Sequence, residues 1–208
     1  MTDPTLIVLV TDLVRYAHLL AVAVGLGGAV MADLTIARNL GTPVTGGLTA
    51  RLRELHLTVR TGLIAMWVTG LVLVAIRTGL DPAAVTPKLW SKLAVVSILS
   101  LNALVLGRVI LPMLERNRGM RPVDLPWSEM LVGGWAAAVS TTSWLLALAL
   151  GASALLKTGA ASLFVVLLPA AYGLALAGAT VMILALQLSG RNARAEADWV
   201  KRMPSPTR

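Results

Sequence analysis

The chain has 208 residues, 57% hydrophobic and 13% charged, and its 18 Lys and Arg against 10 Asp and Glu give a net charge of +8. Soluble domains carry roughly a quarter charged residues, so half that share, with the apolar residues gathered into long blocks, makes lipid the main solvent. The absence of cysteine excludes disulfides, iron–sulfur clusters, thiolate zinc sites and cysteine nucleophiles, and basic residues scattered between apolar blocks, with no basic stripe of interleaved aromatics, argue against nucleic acid as a partner.

The N-terminal stretch MTDPTLIVLVTD has neither a basic n-region nor a small-residue cleavage site, and reads as retained. A helix needs about 20 mainly apolar residues to cross the hydrocarbon core, and five segments supply them. The first is predicted from Asp12 to Ala37, with a backward extension through LIVLV as the open alternative. The second runs from Leu55 to Ile76 and the third from Leu89 to Leu114. The fourth, Met130 to Leu156, and the fifth, Ser162 to Gly190, contain no charged residue. Turn chemistry separates them, in GTPVTGG, TGLDPAAVTP and RPVDLP. None of these joints is long enough for a separate soluble domain, and no internal repeat stands out.

The expected fold is an all-α, polytopic integral membrane bundle of five transmembrane helices over residues 1–190, with a short basic cytoplasmic tail at 191–208. Basic residues accumulate on the cytoplasmic side of membrane proteins. With the N-terminus outside, Arg38, Arg51, Arg53 and Arg60, then Arg108, Arg116, Arg118 and Arg121, and then the tail, all fall inside. Only Arg15, Arg77, Lys88, Lys92 and Lys157 remain outside. The predicted orientation is N-out, C-in.

Within the spans, the run Gly25-Leu26-Gly27-Gly28 looks superficially like a phosphate loop. It lacks the preceding strand and exposed helix start that such a loop needs. Ala21, Gly25 and Ala29 instead recur every four residues, the spacing that lets membrane helices approach closely. Gly28 extends that face, and Gly173 with Ala177 repeats it in the fifth helix. Charges inside a span usually face a partner or a cavity. Asp33, Arg60 and Arg108 are all expected near the inner ends of their helices. There they form either an ion pair locking helices together or a polar entrance for a proton, an anion or a metal.

At the outer face, Arg15, Tyr16, His18, Arg77, Lys88 and Lys92 can share one layer, with Asp12 as the nearby acid. Such a layer is either a cationic pocket for a carboxylate or propionate, or a row of residues at headgroup level. His18 and His56 are the only histidines. They are predicted near opposite ends of their helices, on the order of 20–25 Å apart in depth, too far to share one metal ion. Extending the first helix backwards would shrink that gap. A site at His18 then needs another ligand, such as Met66, or an open position. Hydroxyls of the Ser140–Ser143 run, with Tyr172, Thr180 and Gln187, read as helix-to-helix hydrogen bonding, and Trp90 and Trp127 as interfacial anchors. No catalytic triad, carboxylate pair or HExxH spacing is present.

Taken in order, three segments resemble the CopD-type copper-resistance membrane domain. These are AHLLAVAVGLGG, VRTGLIAMWVTG and KLWSKLAVVSILSLNALVLGRVILP, spread over about half the chain. A more distant likeness is to HemJ-type haem-binding membrane proteins, which also carry an early histidine and a Trp-x-x-Lys-Leu segment. Residue by residue, His18, Gly27, Gly28, Arg60, Lys92, Asn102 and Arg108 carry over. Gly25 and Leu26 stand where the family usually has a tryptophan before Gly-Gly, and its methionine- and histidine-rich outer loops are missing. The resemblance implies a multi-pass protein of the cell inner membrane, engaged in copper handling or haem-linked redox chemistry. The cofactor would be haem b or copper, with His18 the metal ligand and Arg15 and Lys92 beside it. Two other functions stay open. One is a non-catalytic subunit packing a membrane partner or a second copy of itself through small-residue faces. The other is a small transporter built on Asp33, Arg60, Arg108 and Asn102.

Overall fold

The computed structural model describes the backbone of residues 4–153 and 161–202, and the side chains of 5–153 and 161–189. Helix α1 spans Pro4–Arg38 and α2 spans Gly46–Thr78. Helix α3, Pro87–Val105, runs through a π turn at Leu106–Ile110 into α4, Leu111–Arg116. Helix α5 covers Trp127–Ala152 and α6 covers Ala161–Arg202. There is no strand among the described residues. Among the described residues, five spans are long and apolar enough to cross a membrane, with α3, the π turn and α4 forming one of them. The protein is an all-α, five-helix membrane bundle.

Local chemistry sets the helix ends. Thr45, extended at φ −105°, caps α2 by accepting the Leu48 amide at 3.1 Å. Helix α2 therefore starts nine residues before the predicted Leu55. Its other end closes on Gly79 at φ 60°, whose amide reaches the Ala75 carbonyl at 3.0 Å. Thr86 caps α3 and Pro87 opens it. Pro112 has no N–H, and its ring would strike the carbonyl four residues back. The chain avoids that clash by widening, so that the Leu111 amide reaches the Leu106 carbonyl.

Helices α1 and α6 also run past their predicted edges. Helix α1 begins at Pro4 and includes LIVLV. Helix α5 ends at Ala152, while residues 154–160, where its predicted end at Leu156 lies, fall outside the described residues. Helix α6 continues beyond Gly190 to Arg202, so most of the predicted tail extends the fifth helix. Only its last few residues lie outside the described part.

The helices pack as a hairpin of α1 on α2 and a group of α3, α5 and α6. The closest crossing is made by glycines. A Cβ on Gly62 would lie 2.7 Å from the Gly25 nitrogen and 2.8 Å from its Cα, so backbone meets backbone there. A Cβ on Gly25 would in turn lie 2.3 Å from the Trp144 ring. Trp144 is completely buried, at the centre of a cluster with Ala21, Ala29, Leu63, Met66 and Leu99. A second cluster gathers Val44, Leu48, Leu52, Met113, Leu114 and Leu125 around the short loops at the α4 end. A third joins Val95, Leu150 and Phe164 at the other end.

The predicted packing face holds for Ala21, Gly25, Gly28 and Ala29, all buried. It fails for Gly173 and Ala177, which are exposed, with no atom within 4 Å of a Cβ on Gly173. Helix α6 presents Phe164, Ala179 and Ile183 inward instead. The close approach there is supplied by Gly134 on α5, where a Cβ would lie 2.5 Å from Ile183. Large apolar residues such as Leu174, 75% exposed, and Val165 cover the outside, as expected for a bundle whose surface meets lipid.

Candidate functional site at His18

His18 sits on α1 facing α2, where its Nδ1 lies 2.9 Å from Thr69 Oγ1. The Thr69 hydroxyl gives its own hydrogen to the Ala65 carbonyl at 2.7 Å, so it accepts from the imidazole. That bond assigns the proton to Nδ1 and leaves the lone pair on Nε2. Gly70 makes room for the ring, since a Cβ there would lie 3.3 Å from His18 Cε1. The half-buried imidazole also feels the charge of Lys92 on α3, and Lys92 lies within electrostatic reach of Lys88 and Arg77. Lys88 Nζ donates to the Ser153 carbonyl at 2.8 Å.

Of the predicted outer layer, then, Lys92 lies within electrostatic reach of His18, Lys88 and Arg77. Arg15 does not join them. It pairs with Asp12, one turn back on the same helix, at 2.7 Å on an exposed face. Tyr16 is likewise exposed.

His56 lies thirteen residues before Thr69 on α2, a rise of about 20 Å. Extending α1 to Pro4 leaves this separation intact, because the contact with Thr69 fixes the level of His18. His56 occupies a different niche, against Gly107 of the π turn, where a Cβ would lie 2.7 Å from its Nε2. Met66 is no free ligand either, being 3% exposed within the central apolar cluster.

The expected cluster of Asp33, Arg60, Arg108 and Asn102 is not assembled. Asp33 accepts a hydrogen bond from Thr141 on α5 at 2.9 Å, and among the described residues it has no ion-pair partner. Arg60 lies beside His56, lining a groove of about 670 Å³ with Arg53, Glu54, Glu115 and Arg118. In that groove Arg53 is paired with Glu115. Arg108 is exposed on the π turn. Asn102 is buried, and its amide donates to the Ala136 carbonyl at 2.9 Å, tying α3 to α5. The geometric reason is register: Asp33 turns toward α5, while Arg60 and Arg108 open outward on other helices.

Several other polar groups join helices. Trp67 Nε1 donates to Ser100 at 2.9 Å and Trp135 Nε1 to Thr180 at 3.0 Å. Ser143 gives its hydrogen to the Val139 carbonyl and so accepts from the Tyr172 hydroxyl at 2.8 Å. Outside the spans, Asp124 lies 2.5 Å from Arg121 Nε and raises that guanidinium above its ordinary range, an exposed contact that adds little to stability.

The sequence singled out His18 and Lys92, held Gly62, Thr69 and Gly70 only within the segment VRTGLIAMWVTG, and gave no sign of Gly134 or Trp144. Comparison with protein-family models, with curated proteins and with solved structures gave no match.

Proposed function

We propose that the chain is a multi-pass protein of the cell inner membrane, N-out and C-in, resembling the CopD type and serving haem-linked redox chemistry through His18. The observation that carries this reading is the bond from His18 Nδ1 to Thr69 Oγ1. A metal-ligating histidine is normally held by a hydrogen bond from its second nitrogen, which fixes the tautomer and the ring plane. Haem iron is commonly held by one such imidazole. Lys92, with Lys88 and Arg77 behind it, supplies cations of the kind that hold propionates. Bound haem would supply one-electron chemistry, while the protein positions the imidazole, excludes water with apolar side chains and compensates carboxylate charge.

The donor set does not suit copper. Copper sites use several imidazole or soft sulfur ligands, whereas His56 is about 20 Å away and Met66 is enclosed in the apolar core. Among the described residues, no three His, Asp or Glu side chains gather as a metal-binding group. The test is an absorption spectrum with metal analysis on gently purified protein. A Soret band that is lost in His18→Ala and kept in His56→Ala supports the reading. Colourless wild-type protein from haem-replete cells overturns it.

A second reading, a small transporter, has one observation in its favour. Asp33 is a half-buried carboxylate inside a span whose described partner is a hydroxyl rather than a cation. Proton-coupled flux abolished by Asp33→Asn would favour it, and flux unchanged by that substitution would remove it.

A further inference from the structure

We infer that the notch between the end of α1 and the start of α2 is a binding site for the phosphate of an anionic phospholipid, held by Arg38 and Arg51. The two helices form an antiparallel hairpin, so the last residue of α1 and the second turn of α2 meet at one level. Between them lies a groove of about 330 Å³. Its lining contains these two arginines and no carboxylate. Neither arginine has an ion-pair partner among the described residues, and both are exposed. Asp33, the nearest acid on α1, lies more than a turn deeper and is engaged by Thr141.

Two further features suit an anion. Gly47 lines the groove at the start of α2, where first-turn amides lie outside the helical ladder and the helix dipole is positive. Thr45 takes the amide of Leu48 but not that of Gly47. Thr35, Asn39 and Thr45 add polar groups to the same wall. The contrast with the neighbouring groove is informative, because there Glu54 and Glu115 stand among the arginines and Arg53 is already paired.

The apolar side of the groove selects lipid over free phosphate. Met31 and Leu34 line it from α1 and are 43% and 42% exposed. They lie on the membrane side of Arg38, along the path an acyl chain takes when its headgroup sits at the arginines. A soluble phosphate ion gains nothing from them. Basic pockets at membrane helix ends recognise anionic headgroups in this way.

The test uses the full chain in mixed micelles, with lipid retention read by native mass spectrometry. Wild-type protein should retain phosphatidylglycerol over phosphatidylcholine by about thirtyfold, about 2 kcal/mol for two arginines at a surface. The double variant Arg38→Gln, Arg51→Gln should lose that preference, while Arg15→Gln, at the far end of the hairpin and paired only with Asp12, should keep it. Equal retention of the two lipids by wild type, or an unchanged preference in the double variant, overturns the inference. So does inorganic phosphate displacing phosphatidylglycerol at equal concentration, which would assign the site to a soluble anion. Should the double variant fail to fold, the wild type still decides the matter. Raising salt from about 0.1 M to about 1 M shortens the screening length from about 10 Å to about 3 Å, and a preference indifferent to that change contradicts an arginine-held phosphate. None of these outcomes depends on whether haem binds at His18.

Discussion

Substituting Gly62 by alanine is the sharpest perturbation of the bundle. The added methyl would lie 2.7 Å from the Gly25 nitrogen, 2.8 Å from its Cα and 3.0 Å from the Ala21 carbonyl oxygen. Ordinary contact begins near 3.4 Å, so α1 must withdraw by roughly 0.7 Å, a gap that forfeits a quarter to a half of each lost dispersion contact. No flexible side chain can yield, because the obstructing atoms are backbone. Overpacking of this kind costs about 1–3 kcal/mol, partly offset by alanine's better helix propensity of about 1 kcal/mol. A net loss of about 0–2 kcal/mol corresponds to a fall in unfolding temperature of up to roughly 8 °C for a chain of this size, while Gly27→Ala gains the same propensity without the clash. The internal control is Gly27→Ala, two residues from Gly25 on the same helix, where an added Cβ meets nothing within 4 Å. Thermal unfolding in detergent, followed by tryptophan fluorescence, should separate Gly62→Ala from Gly27→Ala. Equal midpoints for the two variants would refute the glycine-mediated crossing.

Gly173→Ala on α6, with open space around it, should leave the unfolding midpoint unchanged or slightly raised; a fall comparable to that of Gly62→Ala would reveal a partner on that face. Asn102→Leu removes the buried bond to the Ala136 carbonyl and should cost about 1 kcal/mol, near the range for polar contacts between membrane helices, read as a lower midpoint. Tyr172→Phe loses the bond to Ser143 and should cost about 0.5–1 kcal/mol, so a drop several times larger would argue against a simple α5–α6 link. Thr69→Val removes the acceptor that holds His18; haem retention should fall about tenfold or more, as when a metal ligand loses the group that orients it, and unaltered retention would count against that bond's role.

The number of spans was legible because an apolar block of membrane length is seldom stable anywhere but in lipid. Helix ends were less so, since hydropathy measures the thickness of the lipid and not the length of the helix. Gly46 to Glu54 is too polar to be read as a span, yet Thr45 caps it and the helix runs on from there. At the site, composition singled out His18 because histidines are rare in this chain. It could not find Thr69, a small hydroxyl whose importance depends on the register of α1 against α2. The Asp33, Arg60 and Arg108 grouping failed for a related reason, since similar depth in the membrane does not mean a shared face. Small-residue spacing was informative where a second glycine stood opposite, as Gly62 does for Gly25, and uninformative on α6, where Gly173 is exposed and meets no other helix.

The central claim, that His18 presents an imidazole nitrogen to haem iron, is tested most directly by electron paramagnetic resonance on ferric protein labelled with ¹⁵N-histidine. With only two histidines in the chain, the assignment is unambiguous. Coupling of ¹⁵N to the iron is expected in the wild type and in His56→Ala, and none in His18→Ala. Coupling that survives in His18→Ala, or wild-type protein without a haem signal, would contradict the claim.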